Sequence, residues 1–147
     1  MAEIIGIAVK GQSGGKVSVV ETAVCHSDSG IEGDYHSRGA RQLTILFKAD
    51  WEAACAEVDV DLPWTTRRAN LYVDGMILPD QKGAHLHIGD AIFEVTGETK
   101  PCHIMEAAQV GLRAALTSNW RGGVTCRIVQ GGMIKQGDGV RQLIVDN

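Results

Sequence analysis

The stretch Ala84-His85-Leu86-His87-Ile88-Gly89-Asp90-Ala91-Ile92-Phe93-Glu94-Val95 decides the fold. Leu86 and Ile88 alternate with His85 and His87, the two-residue period of a strand with one buried face. Gly89-Asp90 then reads as a turn, and a second alternating run follows it. Two His at i, i+2 lie on one strand face and could chelate a metal. No third ligand sits nearby in the sequence and the opposite face is apolar, so the pair reads as the solvent side of the strand. The same grammar returns at Gln136-Gly137-Asp138, which also precedes a strand. Each turn looks like the entry to a strand of a β-barrel.

The flanking sequence agrees. Residues 3–10 are short and β-branched, residues 11–15 form a Gly-rich turn, and residues 16–20 return as the second strand of a hairpin. The turn lacks the G-x-x-x-x-G-K-[ST] pattern of a phosphate loop. Residues 42–47, 71–73 and 124–129 read as further strands. Residues 48–58 read as a helix whose Trp51, Cys55 and Val58 face the core at helical spacing. Residues 104–119 suit one or two short helices broken at Gly111. In the strand at residues 124–129, Cys126 alternates with Val124 and Ile128 and shares their buried face; residues 133–145 then close the chain. Many short strands, frequent Gly turns and two or three helical insertions predict a mostly-β barrel rather than a βαβ layered fold.

The chain has 147 residues, which suits one compact domain over residues 1–147. A net charge of −4 and a pI near 5.7 give no global attraction to nucleic acid or to anionic membranes. No apolar run is long enough to span a bilayer. The start, Met1-Ala2-Glu3, lacks the basic and apolar segments of a signal peptide. Four cysteines, Cys25, Cys55, Cys102 and Cys126, lie far apart without regular spacing, as expected of reduced thiols in a cytoplasmic protein. No C-x-x-C pair suggests a structural zinc.

Chemistry concentrates in three polar clusters. Residues 30–41 hold Glu32, Asp34, His36, Arg38 and Arg41 among glycines; such a segment can be a binding loop or a solvated connector. Thr65-Thr66-Arg67-Arg68-Ala69-Asn70 offers two hydroxyls, two guanidiniums and an amide, a set that could grip a phosphate or an oxyanion. Its bland alternative is one solvent-facing Arg and one surface ion pair. The third cluster is Lys100-Pro101-Cys102-His103. There a Pro opens a predicted helix and places a thiol near its positive end, which favours a thiolate. A thiolate is a nucleophile and a soft metal ligand; Cys102 could equally be a small buried hydrophobe. In a small barrel such loops can gather around one mouth.

In order and spacing these segments resemble the MOSC family, the domain at the C-terminus of molybdenum-cofactor sulfurases. The residues that carry the resemblance are Gly30-Ile31-Glu32-Gly33-Asp34-Tyr35-His36, then Arg41-Gln42-Leu43-Thr44, then Arg68-Ala69-Asn70-Leu71-Tyr72-Val73-Asp74-Gly75. Leu86-His87-Ile88-Gly89-Asp90-Ala91, Val95-Thr96-Gly97, Pro101-Cys102, Arg121-Gly122-Gly123-Val124 and Gly131-Gly132-Met133-Ile134 follow. The match runs from about residue 20 to the end of the chain.

The resemblance implies a mostly-β barrel with helical insertions and a molybdenum-cofactor site. Cys102 would then be the protein ligand of molybdenum in a reductase of N-hydroxylated compounds, or the carrier of a persulfide in a sulfur-delivery module. Arg68 and Asn70 would hold the pterin or its phosphate, with Asp34, His36, Arg41, Thr66 and Lys100 around the same pocket. Departures are Thr99 and Lys100 where many relatives carry Arg before Pro-Cys, and Ala69 where many carry Glu. These residues offer no basis for pyridoxal phosphate, flavin or iron–sulfur binding, so a reductase would need a separate redox partner, and a carrier a sulfur donor. A third reading is a non-catalytic barrel that binds another protein.

Overall fold

The computed structural model describes residues 1–35 and 41–143. Eleven strands and three short α-helices make up the described chain: β1 (Glu3–Lys10), β2 (Val17–Val20), β3 (Thr22–His26), β4 (Gly30–Ile31), β5 (Leu43–Phe47), α1 (Lys48–Glu57), β6 (Leu71–Asp74), β7 (His85–Ile88), β8 (Ala91–Glu98), α2 (His103–Ala108), α3 (Leu112–Thr117), β9 (Val124–Gln130), β10 (Gly132–Lys135) and β11 (Val140–Leu143). The chain is mostly β, as the alternation predicts. Strands β7 and β8 pair antiparallel across the Gly89-Asp90 turn, with His85 opposite Glu94 and Leu86 opposite Phe93. Leu86 and Ile88 are fully buried while His85 and His87 stay half-exposed, so the face assignment holds.

The barrel does not close. Eight strands form one sheet in the order β11-β7-β8-β9-β5-β6-β1-β2, and β10-β3-β4 form a separate one. The reason lies at β1. One edge of β1 pairs with β6. Residues Ile7 to Lys10 of the other edge are taken by β2. Only the start of β1 is left to meet the far end of the sheet, through one isolated bridge between Glu3 and Gly139. Two backbone bonds of 2.9 Å, Ile4 to Asp138 and Val140 to Ala2, flank that bridge.

Two apolar clusters sit on opposite faces of the central strands. Ile4, Ile7, Ile45, Phe47, Leu71, Val73, Leu86, Ile88, Phe93 and Val95 fill one side. Leu46, Trp51, Ala54, Cys55, Tyr72, Met105, Leu112 and Leu116 seat the helices on the other. All five residues of β5 are therefore buried, Thr44 being the one polar side chain among them. Helix α2 ends at Ala108 with Gln109 extended, and Gly111, with a φ of 88°, starts α3. Strand β3 was not expected from its mixed polar sequence; it pairs with β10 and buries Ala23 and Cys25.

Candidate functional site

A cavity of about 370 Å³ opens where the start of β5, the turn before β6, the exit of β8 and the entry of β9 converge. Its lining includes Lys10, Asp34, Arg41, Arg67, Arg68, Asn70, Thr99, Lys100 and Cys102. Among the described residues five basic side chains and one carboxylate face it. A chain with a net charge of −4 thus gathers positive charge at one place, and such a cavity attracts anions.

Arg67 anchors the floor. It ends the short 3-10 turn Trp64–Arg67 and is 9% exposed. Its Nε donates to the Gly122 carbonyl at 3.1 Å and its Nη2 to the Thr99 carbonyl at 2.8 Å. One planar fork thereby ties the exit of β8 to the entry of β9. Gly122 leaves the room: a Cβ there would lie 2.3 Å from the Thr99 carbonyl oxygen and 3.0 Å from Nη2 of Arg67. Burial pushes the Arg67 guanidinium down to about 10; the charge of a Cys102 thiolate opposes that shift and Arg41 adds to it. The guanidinium therefore lies within electrostatic reach of Cys102.

The next residue turns the other way. Arg68 adopts a left-handed backbone, φ 65°, so its side chain diverges from that of Arg67. Its Nη2 donates to the Gly15 carbonyl at 2.6 Å, and its own carbonyl accepts from Lys10 Nζ at 3.3 Å. The Lys10 ammonium is pushed down chiefly by burial; Asp34 opposes this, while Arg68, Arg41 and Arg67 reinforce it.

Asn70 spends its amide on the protein. Its Oδ1 accepts from the Thr44 N–H at 3.0 Å, and its Nδ2 donates to the Ala8 carbonyl at 3.2 Å and to Asp34 Oδ2 at 3.1 Å. It locks β5, β1 and the Asp34 segment together behind the cavity. Asp34 also accepts the Lys10 backbone N–H at 2.7 Å.

Cys102 is the half-exposed thiol; Cys25, Cys55 and Cys126 are buried. It precedes α2 in an extended conformation, φ −128° and ψ −170°. The helix expected to open at Pro101 starts two residues later, at His103, and α2 has only six residues. So short a helix has little dipole; the positive surroundings of Cys102 come from side chains. Met105 packs into the helical cluster and fixes α2, with Cys102, against the body of the protein. Beside it Thr99 is 4% exposed, and its Oγ1 has no hydrogen-bond partner. Among the described residues this hydroxyl is a buried polar group left unsatisfied.

The structure thus gathers Cys102, Arg68, Asn70, Asp34, Arg41 and Lys100 around one cavity. Thr66 is not among the lining residues, and His36 lies outside the described residues. Sequence reasoning missed Lys10, Arg67 and Thr99. Lys10 ends a strand far away in sequence, and nothing in Arg67-Arg68 says which guanidinium turns inward. These groups fit an anionic ligand with a thiol-seeking centre: basic side chains and a soft donor line one cavity.

Comparison with known proteins bears on the fold and the family. No curated protein matches the sequence. In structure the chain is similar to the YuaD protein of Bacillus subtilis, with a TM-score of 0.79 and 17% identity, covering 95% of this chain and 94% of that one. It is also similar to YiiM of Geobacillus stearothermophilus, with a TM-score of 0.74, 14% identity and coverage of 98% and 76%. For YiiM of Escherichia coli the values are 0.72, 14%, 98% and 71%. At such identities these likenesses speak to the fold. The family model for the MOSC domain matches residues 32–141, and the chain belongs to the MOSC domain family.

Proposed function

We propose that the chain binds a molybdopterin-type molybdenum cofactor, with Cys102 as the thiolate ligand of the metal, and reduces N-hydroxylated compounds with electrons from a separate protein. The observation that carries this reading is the meeting of a half-exposed thiol and five basic side chains in one cavity. When bound, such a group supplies a two-electron redox centre. The residues of the chain do the rest. Arg68, Lys10 and Arg41 neutralise the anionic part of the ligand. Arg67 holds the carbonyls of Thr99 and Gly122 and so sets where Cys102 stands. Asn70 and Asp34 hold each other beside the same cavity.

A second reading rests on the same exposed thiol: a sulfur carrier with a persulfide on Cys102 and no retained metal. The test reconstitutes wild type and Cys102→Ala with cofactor and a chemical electron donor, then follows loss of an N-hydroxylated base. The proposal expects turnover in wild type and none in the variant. Equal rates would refute it. No turnover together with an added sulfur on Cys102 by intact mass would replace it with the carrier reading.

A further inference from the structure

We infer that the compounds reduced at this site are anions with an apolar body, and that Lys100 and Ile104 select them. The inference rests on the preceding reading for its chemistry, a reduction beside Cys102. Of the five basic side chains that line the cavity among the described residues, four are already engaged. Arg67 is held by the Gly122 and Thr99 carbonyls. Lys10 donates to the Arg68 carbonyl and Arg68 to that of Gly15; in the preceding reading they and Arg41 neutralise the cofactor. Lys100 is left over. It is exposed, and among the described residues it has no hydrogen-bond or ion-pair partner. Its backbone is nonetheless fixed. The Thr99 N–H donates to the Gly123 carbonyl at 2.8 Å, the Thr99 carbonyl accepts from Arg67, and buried Pro101 disfavours a helical turn at Lys100. The chain thus plants a free ammonium two residues before the thiol. Two residues after the thiol stands Ile104, 46% exposed although it lines the same cavity. Met105 beside it is buried and seats α2, which leaves Ile104 on the open side. Tyr35, 51% exposed, lines the cavity too. A cation and an apolar surface at one opening suit a molecule that carries a negative charge on a ring or alkyl body.

The reduction itself balances without Lys100. An amidoxime takes up two protons and two electrons that originate in the separate donor protein. Its N–O bond breaks, an amidine remains, and the oxygen leaves as water. Lys100 holds the carboxylate or phosphate of the substrate while the N–O group is directed to the Cys102 side, and Ile104 covers the apolar body. The ammonium also raises the local concentration of an anion before it binds, an effect that salt weakens.

The experiment uses the full chain purified from cells that make the cofactor, and three probes built on one ring: para-carboxybenzamidoxime, benzamidoxime and para-trimethylammonio-benzamidoxime. Loss of each probe is followed with a chemical electron donor, and rates are divided by molybdenum content. Binding of each is measured by calorimetry without the donor. Wild type should favour the anion over the neutral probe about fivefold in both kcat/KM and Kd, the upper range for an exposed ion pair, and should disfavour the cation. That preference should shrink as sodium chloride is raised. Lys100→Gln should abolish it, Lys100→Arg should keep it, and Lys100→Glu should invert it. Ile104→Ser should weaken all three probes alike, about threefold for part of the burial of one aliphatic side chain, and keep the anion preference.

Equal kcat/KM and Kd for the anionic and neutral probes in wild type overturn the proposal. So does a preference that survives Lys100→Gln, because another cation then carries it. Equal binding of all three probes by wild type and Ile104→Ser removes Ile104 from the selection and overturns the proposal as stated. The two readings fail separately. Wild type without molybdenum and without turnover of any probe refutes the cofactor reading, and the Kd values then decide the anion selection on their own. Turnover by a molybdenum-bearing protein that does not prefer the anion refutes only this one.

Discussion

At the scale of single residues, the neighbours Arg67 and Arg68 divide the labour of the site. The left-handed backbone at Arg68 sends one guanidinium inward to the Thr99 and Gly122 carbonyls and the other across to Gly15. A lysine ammonium lacks the rigid fork that presents Nε and Nη2 to two separate carbonyls, so the buried partners of Arg67 would be held less well. Arg67→Lys is expected to lower stability by about 2 kcal/mol, read as a shift of the urea midpoint. An unchanged midpoint would show that the fork adds nothing to the fold. The sequence displayed both arginines but not their directions, because those are set by one φ angle. Cys102 was legible from its place after Pro101; Thr99 was not, since an orphan hydroxyl exists only once its neighbours are placed.

At the scale of elements, α1 carries a strained charge. Burial pushes the Asp50 carboxyl up to about 6, with Arg121 opposing the shift. A carboxyl whose folded pKa is raised favours the folded state most when both states are protonated, below the ordinary value near 3.8. That contribution is lost as pH rises from about 4 to about 6, because the unfolded chain ionises first. Asp50→Asn is expected to remove this slope, so that Tm of the variant minus Tm of wild type is more positive at pH 7 than at pH 4. A constant difference across that range would contradict the assignment. The elements themselves were largely readable. Alternation located β7 and β8, helical spacing located α1, and Gly111 marked the break between α2 and α3. Strand β3 escaped because Thr22-Ala23-Val24-Cys25-His26 runs into a polar, Gly-bearing segment, and its partner β10 lies more than a hundred residues on.

At the scale of the whole molecule, the open sheet and the buried thiols matter together. A barrel was expected from the repeated turn-and-strand pattern, yet closure depends on which edge of β1 is free, and hairpin strand β2 occupies half of it. Pattern alone cannot show that competition. The two Gly-Asp turns that suggested closure do meet: Asp90 N–H donates to the Met133 carbonyl at 3.2 Å, and a Cβ on Gly89 would lie 2.5 Å from Asp138 Oδ2. Around this frame Cys25, Cys55 and Cys126 are 2%, 5% and 0% exposed. Burial pushes Cys25 up to about 12 and raises Cys55 and Cys126 as well. A thiol reagent at pH 7.5 should therefore label one of the four cysteines in native protein, at Cys102, and all four in urea. Rapid native labelling of a second cysteine would contradict the packing.

The claim that joins these scales is that the cationic cavity beside Cys102 holds a molybdenum-bearing pterin. Its most direct test is the molybdenum and pterin content, per mole of protein, of wild type and Cys102→Ala purified side by side from cells that make the cofactor. The account predicts molybdenum and pterin together in wild type and at least about tenfold less molybdenum in the variant. Wild type free of both, or equal molybdenum in the two proteins, would contradict it.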